Sequence, residues 1–344
     1  MKRYYAGLDI SMKTTFICVL DEAGNVVHEG HAKTDPHTIA DYLDKKGFKS
    51  CLLGFESGSL THYLISGFKE RALNAVCMDA RKLNPILSMK INKTDKNDAR
   101  GIAEALRSKM YHAVHCKPIE MVEKGMVLTA RKTLVCQQVQ LKNSVRGLLK
   151  TFGIRLGSVG AKTFSTVVKK RLENLSETCK VSIQPLLNVY EQLIKEIEKL
   201  DQQVRKMAYE DKEVKRFMTI PGVGPVTALS YKVEIFDASR FADSRNVGAY
   251  LGLTPTQYAS GETQRQGGVS KCGSIKLRSL LVEAGIVILT RSRKWSKLKA
   301  WGLKIMRKKG IKKAALAVGR KLAVIMHRMM VQGTEFVYGE QKTA

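Results

Sequence analysis

Four acidic side chains stand out in a chain that is otherwise short of acids: Asp9, Glu56, Asp95 and Asp98. Asp9 closes the β-rich run YYAGLDI and Glu56 follows the apolar run SCLLGF, so each is expected at the C-terminal tip of a strand. Asp95 and Asp98 open a predicted helix over 95–109, and their i, i+3 spacing puts them on one face. Two strand tips and a helix start at one sheet edge would gather four carboxylates in one cleft, where their repulsion calls for a cation. Hard oxygen donors without a thiolate cluster suit Mg²⁺ or Mn²⁺, and two such ions about 4 Å apart polarise a scissile phosphate. The plainer reading is separate solvent-facing carboxylates, with Asp95 and Asp98 as first-turn helix caps. Asp79, just after another apolar run, is the rival ligand.

A second set of polar groups lies in the C-terminal half. Residues 251–278 hold Ser260-Gly261, Gly267-Gly268 and the cations Arg265, Lys271, Lys276 and Arg278. They read as a flexible polar loop able to bring a hydroxyl and several cations to one phosphate; an ordinary surface loop has the same composition. A serine in such a loop becomes a nucleophile only with a positioned base, cation or metal. Upstream, Pro221-Gly222-Val223-Gly224-Pro225 lies between helical segments. A turn of this kind brings two helices close and aims backbone N–H groups at a phosphate, the helix-hairpin-helix pattern of backbone binding through Gly222 and Gly224. Farther on, a dense basic stretch that includes Arg307 and Lys308 interleaves with Trp295 and Trp301. It suits phosphate contact and base stacking, or a solvated face.

Composition narrows the partner. The chain has 344 residues, 59 Lys and Arg against 31 Asp and Glu, and a formal charge of +28. A surface so basic repels itself unless it meets a polyanion, and nucleic acid is the simplest one. At 44% hydrophobic the sequence is that of a globular protein, which excludes a disordered tail. Seven cysteines without a CxxC pair argue against a disulfide framework or a Cys-rich zinc site and predict mostly buried thiols. The N-terminus lacks a signal-peptide apolar core, since Asp9 falls within it, and no apolar run is long enough for a membrane span. These features predict a cytoplasmic protein, nucleoid-associated when bound to DNA.

The elements that must position these groups follow from periodicity. Strands at 4–10, 15–20 and 26–29, with the turn DEAGN between the last two, read as an antiparallel start. Helices over 35–46 and 60–71 and strands over 50–55 and 74–78 then alternate, giving a mixed sheet with helices on its faces and an RNase H-like strand order. From 117 the β signal stops and 119–151 reads as one long helix. Leu186, Tyr190, Leu193, Ile197, Leu200, Val204 and Met207 then form a heptad seam, equally suited to pairing within the chain or to oligomerisation. The division is 1–116, a RuvC-like (RNase H-like) domain; 117–214, a helical coiled-coil region; and 215–335, a mostly helical C-terminal domain.

These motifs resemble a known family. GLDISMKT around Asp9, GFESG around Glu56 and KTDKNDAR around Asp95 and Asp98 are similar to the N-terminal catalytic domain of IS110/IS1111 insertion-sequence transposases. TIPGVGPVTA, FADSRNVGAYLGLTP and ASGETQRQGGVSKCGSIKLRSLLVEA resemble that family's C-terminal transposase domain, so the likeness runs from about residue 4 to about residue 330. The resemblance implies a RuvC-like metal-dependent centre at the four acids, and a covalent serine nucleophile that matches Ser260. The family pattern has two serines and a Gly-Gly where this chain reads Ala259-Ser260-Gly261-Glu262, which leaves Ser270 as second choice and Ser274 as third. It further implies donor and target DNA, a structured bridge-type non-coding RNA as guide, and dimers that meet as a tetramer. The remaining classes are a RuvC-like junction nuclease without a serine intermediate, a site-specific DNA invertase, and a non-catalytic nucleic-acid-binding protein.

Overall fold

The computed structural model describes residues 3–88, 94–261 and 263–339, and the chain divides into two compact units, 1–119 and 120–344. The first is a three-layer α/β unit. Strands β1 (Tyr5–Ile10), β2 (Thr14–Leu20), β3 (Val26–Lys33), β4 (Leu52–Glu56) and β5 (Ala75–Met78) form one sheet in the order β3-β2-β1-β4-β5. The pairs β1–β2 and β2–β3 are antiparallel, whereas β1–β4 and β4–β5 are parallel. This is the mixed sheet with helices on its faces that the alternation of strands and helices predicts.

Alternation along each strand decides which face it feeds. Ala6, Leu8, Leu53 and Phe55 pack with Ile39 and Leu43 of helix α1 (Pro36–Lys45) and with Leu64 and Phe68 of α2 (Thr61–Glu70). Asp35 caps α1, its carboxylate accepting from the Thr38 amide at 2.8 Å. On the opposite face, Tyr5, Leu52 and Val76 meet helix α3 (Ala80–Leu87) and α4 (Asp95–Arg107) through Leu83, Ile102 and Leu106. Helix α3 escapes a reading by periodicity because Pro85 lies inside it.

The contact between α4 and the sheet is unusually close. A Cβ on Gly7 would lie 2.1 Å from the Ala99 carbonyl oxygen and 2.4 Å from the Ala103 nitrogen. One on Gly54 would lie 2.7 Å from the Met78 methyl carbon. An ion pair and a hydrogen bond fasten the helix at its ends: Lys96 reaches Glu29 of β3 at 2.5 Å, and Arg107 donates to the Glu22 carbonyl at 3.1 Å.

The second unit is helical apart from one ribbon. Helices α5 (Ile119–Lys150) and α7 (Glu177–Glu210) run antiparallel, with α6 (Phe164–Leu172) at one end. Met121 clusters with Val204 and Ala208, Arg131 pairs with Asp201 at 2.5 Å, and the buried Gln138 amide donates to the Tyr190 hydroxyl at 2.9 Å. Val145 and Leu149 pack on Ile183 and Leu187. Tyr190 and Val204 of the heptad seam are thus buried against α5 of the same chain, while Leu186, Leu193, Leu200 and Met207 are half-buried.

Helices α8 (Lys212–Phe217), α9 (Pro225–Ile235), α10 (Asn246–Tyr250), α11 (Ile275–Thr290) and α12 (Lys297–Gln332) build the remaining core, with the ribbon β6 (Pro255–Ser260) and β7 (Thr263–Val269) between α10 and α11. Helix α12 breaks at Gly310, whose φ is 76°. Its second half packs on α11 glycine to backbone: a Cβ on Gly285 would lie 2.6 Å from the Ala315 carbonyl oxygen. Among the cysteines, Cys18, Cys51 and Cys77 are buried as expected, but Cys136 and Cys272 are exposed, and all seven are free.

The Gly7 contact gives a direct test. Gly7→Ala forces α4 off the sheet and should cost about 1–3 kcal/mol or more of stability. Gly147→Ala, on an exposed turn of α5 with nothing within 4 Å of the new methyl group, should raise stability by about 0.5–1 kcal/mol. Thermal melting of both variants checks the pair.

Candidate functional site

Asp9 and Glu56 are neighbours by register. Leu8 pairs with Phe55 across the parallel strands, and Asp9 and Glu56 are the next residue on each. Strands in a sheet lie about 4.8 Å apart, so the two acids share one edge. Both alternate onto the α4 side, with Tyr5, Gly7, Leu52 and Gly54. Helix α4 runs opposite to β1 and β4: Leu106 packs with Tyr5 and Leu52 at the strand starts, whereas Ala99 lies on Gly7. Its first turn, with Asp95 and Asp98, therefore points toward the edge that carries Asp9 and Glu56. Thr94 caps the helix, its hydroxyl accepting from the Asn97 amide at 3.2 Å. The positive end of the helix dipole favours carboxylates in that turn.

Register puts Asp9 and Glu56 side by side, and α4 aims the turn of Asp95 and Asp98 toward them. Asp9, Glu56 and Asp98 are half-buried and Asp95 is exposed. Among the described residues, no group of three His, Cys, Asp or Glu is placed to hold a metal ion. Like charges repel across such an edge. Asp79, the rival ligand, caps α3, with its carboxylate accepting from the Arg81 amide at 3.0 Å. A pocket of about 250 Å³ opens beside Glu56, lined by Ser11, Met12, Ser59 and Thr61 among others.

The polar stretch around Ser260 is not a loop. It is the ribbon β6–β7, paired Gln257↔Gln266, Tyr258↔Arg265, Ala259↔Gln264 and Ser260↔Thr263. Sequence patterning missed it because neither face is apolar, which leaves no hydrophobic alternation to detect; the Gly261 turn, with φ +53°, was the available signal. Ser260 lies beside that turn at the exposed tip. Ser270 follows β7, its amide bonded to the Thr254 carbonyl at 2.9 Å, and Ser274 caps α11.

The cations divide by what they touch. Arg265 is exposed on the ribbon, and Arg307 and Lys308 are exposed just before the α12 break. Lys271 sits at φ 56° in the turn into α11. Lys276 donates to the Thr129 hydroxyl at 3.0 Å. Arg278 donates to the Cys272 and Leu251 carbonyls at 2.7 and 3.1 Å, fastening the ribbon's base. Trp301 packs against the core with the Lys321 ammonium 4.4 Å from its ring centroid, so that face already has an occupant.

The Pro-Gly-Val-Gly-Pro turn joins α8 to α9. Gly222 has φ +82° and lies against α11, where a Cβ would be 3.0 Å from the Ala284 carbonyl oxygen. Gly224 precedes the first turn of α9 and has open space around it. Together with Lys294, Glu335 and Tyr338, the turn lines a pocket of about 750 Å³.

Comparison with known proteins fits both halves. A family model described as a transposase of the IS110 type matches residues 6–154, and a model described as the IS116/IS110/IS902 transposase family matches residues 214–300. The chain belongs to the IS110/IS1111 family of transposases. The transposase for insertion sequence element IS1111A of Coxiella burnetii is 28% identical over 331 residues, covering 95% of this chain and 89% of its own. A probable family 20 transposase of Pseudomonas aeruginosa is 26% identical, covering 95% and 97%. A pilin gene-inverting protein of Moraxella bovis is 33% identical over 122 residues, 34% of this chain and 37% of its own. The IS110-family chain is thus a DNA-recombining, phosphoryl-transfer enzyme. Among the described residues of this transposase, no helix is long and apolar enough to cross a membrane.

The two kinds of arginine separate by experiment. Arg278→Met should destabilise the transposase by about 2 kcal/mol, because charged hydrogen bonds to two carbonyls are lost. Arg307→Gln with Lys308→Gln should leave melting unchanged and lower the slope of log affinity against log salt by about one per lost phosphate contact. Melting curves and DNA titrations at several salt concentrations check both.

Proposed function

We propose that the protein moves an insertion sequence by cutting and rejoining DNA through a serine-linked intermediate, with a structured non-coding RNA selecting the donor and target sites. The observation that carries the reading is the presence of both chemical parts on one chain: four acids at one sheet edge and helix start, and Ser260 at the tip of an exposed ribbon with Arg265 beside it. In this reading the chain works as three parts, 1–116, 117–214 and 215–335.

In the first step the Ser260 oxygen attacks a backbone phosphorus in line. Its proton leaves to solvent or a nearby base, and the 3′ oxygen departs and takes up a proton. The products are a 5′-phosphoserine link and a free 3′-OH. In the second step a 3′-OH from another strand attacks that phosphorus, loses its proton and releases the serine. Each step exchanges one phosphodiester for another, so no nucleotide triphosphate is required. Arg265, on the same face of the ribbon two residues from the tip, supplies positive charge near the developing phosphorane.

Asp9, Glu56, Asp95 and Asp98 are the residues that would hold Mg²⁺ or Mn²⁺, and their hard oxygen donors suit such an ion. When bound, it would supply Lewis-acid stabilisation of phosphate charge. The acids and the serine belong to different compact units. The reading therefore requires closure within a subunit or between subunits of a dimer or a tetrameric synapse. Gly222 and Gly224 of the helix-hairpin-helix turn would meet the phosphate backbone. The charge of +28 is enough to serve a guide RNA and two DNA partners.

The decisive experiment incubates the protein, its guide RNA and end-labelled donor DNA with Mg²⁺, and resolves the products under denaturing conditions with and without protease. Wild type should give a protease-sensitive DNA adduct, and Ser260→Ala none while still binding both nucleic acids. Asp9→Asn should cut cleavage by at least a hundredfold and leave RNA binding intact. Adduct retained in Ser260→Ala but lost in Ser270→Ala would move the nucleophile. Cleavage without any adduct would replace the serine mechanism with that of a metal-dependent junction nuclease.

A further inference from the structure

Every described residue from Gln257 to Gly268 is exposed. A two-stranded ribbon with both faces in water is marginally stable and gains from whatever it lies against. Its faces differ. By the register, Tyr258, Ser260, Thr263 and Arg265 share one face, and Gln257, Ala259, Gln264 and Gln266 share the other. The first face continues to Gly267, where a Cβ would lie 2.3 Å from Thr256 Oγ1 and 3.3 Å from Tyr258 Cε2. The glycine leaves room for the tyrosine ring to lean against the neighbouring strand. Tyr258 is nonetheless 66% exposed.

An aromatic ring supported on one side and open on the other gives up little entropy when a flat partner stacks on it. Every nucleobase has such a flat face, but in a duplex both faces are already covered by neighbouring bases. A stacking ring therefore selects an unpaired base. We propose that Tyr258 is a stacking platform for an unpaired nucleobase of the DNA strand presented to Ser260, with Arg265 on the same face holding a neighbouring phosphate. Strand exchange passes through unpaired ends, and the ribbon would hold such an end in place by its base as well as by its phosphates. The identity of that strand rests on the Ser260 reading; the stacking itself does not. If Tyr258 only covered Gly267, an aliphatic side chain would serve as well.

The test uses the full chain carrying Ser260→Ala, so that binding is read without cleavage. The probe is a single-stranded oligodeoxythymidylate with one 2-aminopurine, and the readouts are its fluorescence and its affinity. With Tyr258 or Tyr258→Phe, binding should quench the fluorescence. Tyr258→Leu should remove the quench and weaken binding about tenfold, within the range for one base–aromatic stack, at an unchanged melting temperature. Gly267→Ala, whose methyl group would meet Thr256 Oγ1 at 2.3 Å and crowd the ring edge at 3.3 Å, should reduce the quench in the same direction. Equal quench and affinity for Tyr258→Leu and Tyr258→Phe would overturn the proposal, and so would a matched duplex quenched as strongly as the single strand. The protease-sensitive adduct is a separate readout. Its persistence in Ser260→Ala would remove the serine reading and leave the stacking result standing.

Discussion

The N-terminal unit depends on one close approach, the contact of helix α4 with strand β1 at Gly7. Backbone meets backbone there because neither Gly7 nor Ala99 and Ala103 carries a side chain that would hold them apart. That contact fixes the height and the direction of α4. With α4 held there, its first turn points toward the edge that carries Asp9 and Glu56, so residues with no chemistry of their own set where those acids can meet.

The second constraint is electrostatic. A net charge of +28 on 344 residues is a standing repulsion. The chain moderates it with local ion pairs such as Lys169–Glu191 and Lys162–Glu198 between helical segments, each exposed and individually weak. The cations left in excess gather where the backbone bends, around the Gly310 break of α12 and at the turn into α11.

Much of this was legible in the sequence, for stated reasons. The five strands of the sheet, helices α1, α2, α4 and α5, and the seam on α7 all follow from hydrophobic period and caps. Asp35 before Pro36 announces α1, and two acids in the first turn announce α4. What stayed hidden had no such signal. Pro85 masks α3, and the β6–β7 ribbon has no apolar face. The roles of Asp79 and Arg278 were hidden as well, because a helix cap and a clamp on two carbonyls are three-dimensional facts. Strand order and helix spacing led to the expectation of four acids at one edge, of which register shows Asp9 and Glu56 as neighbours, while pattern says nothing of how the side chains are oriented.

The antiparallel pair of α5 and α7 carries a consequence for how such chains can change length. Helices of 32 and 34 residues are each about 50 Å long. Their buried contacts are in step from Met121 with Ala208 to Leu149 with Ile183. Seven residues inserted in α5 alone would add about 10 Å to one rail and none to the other. The Arg131–Asp201 and Gln138–Tyr190 contacts would then fall out of register. A matched insertion in both helices keeps every contact and simply moves the α6 end outward. Insertions and deletions in these two segments should therefore come in pairs of equal size, as do the risers of a ladder, so that the span of the arm can drift in evolution only by whole turns shared between both helices.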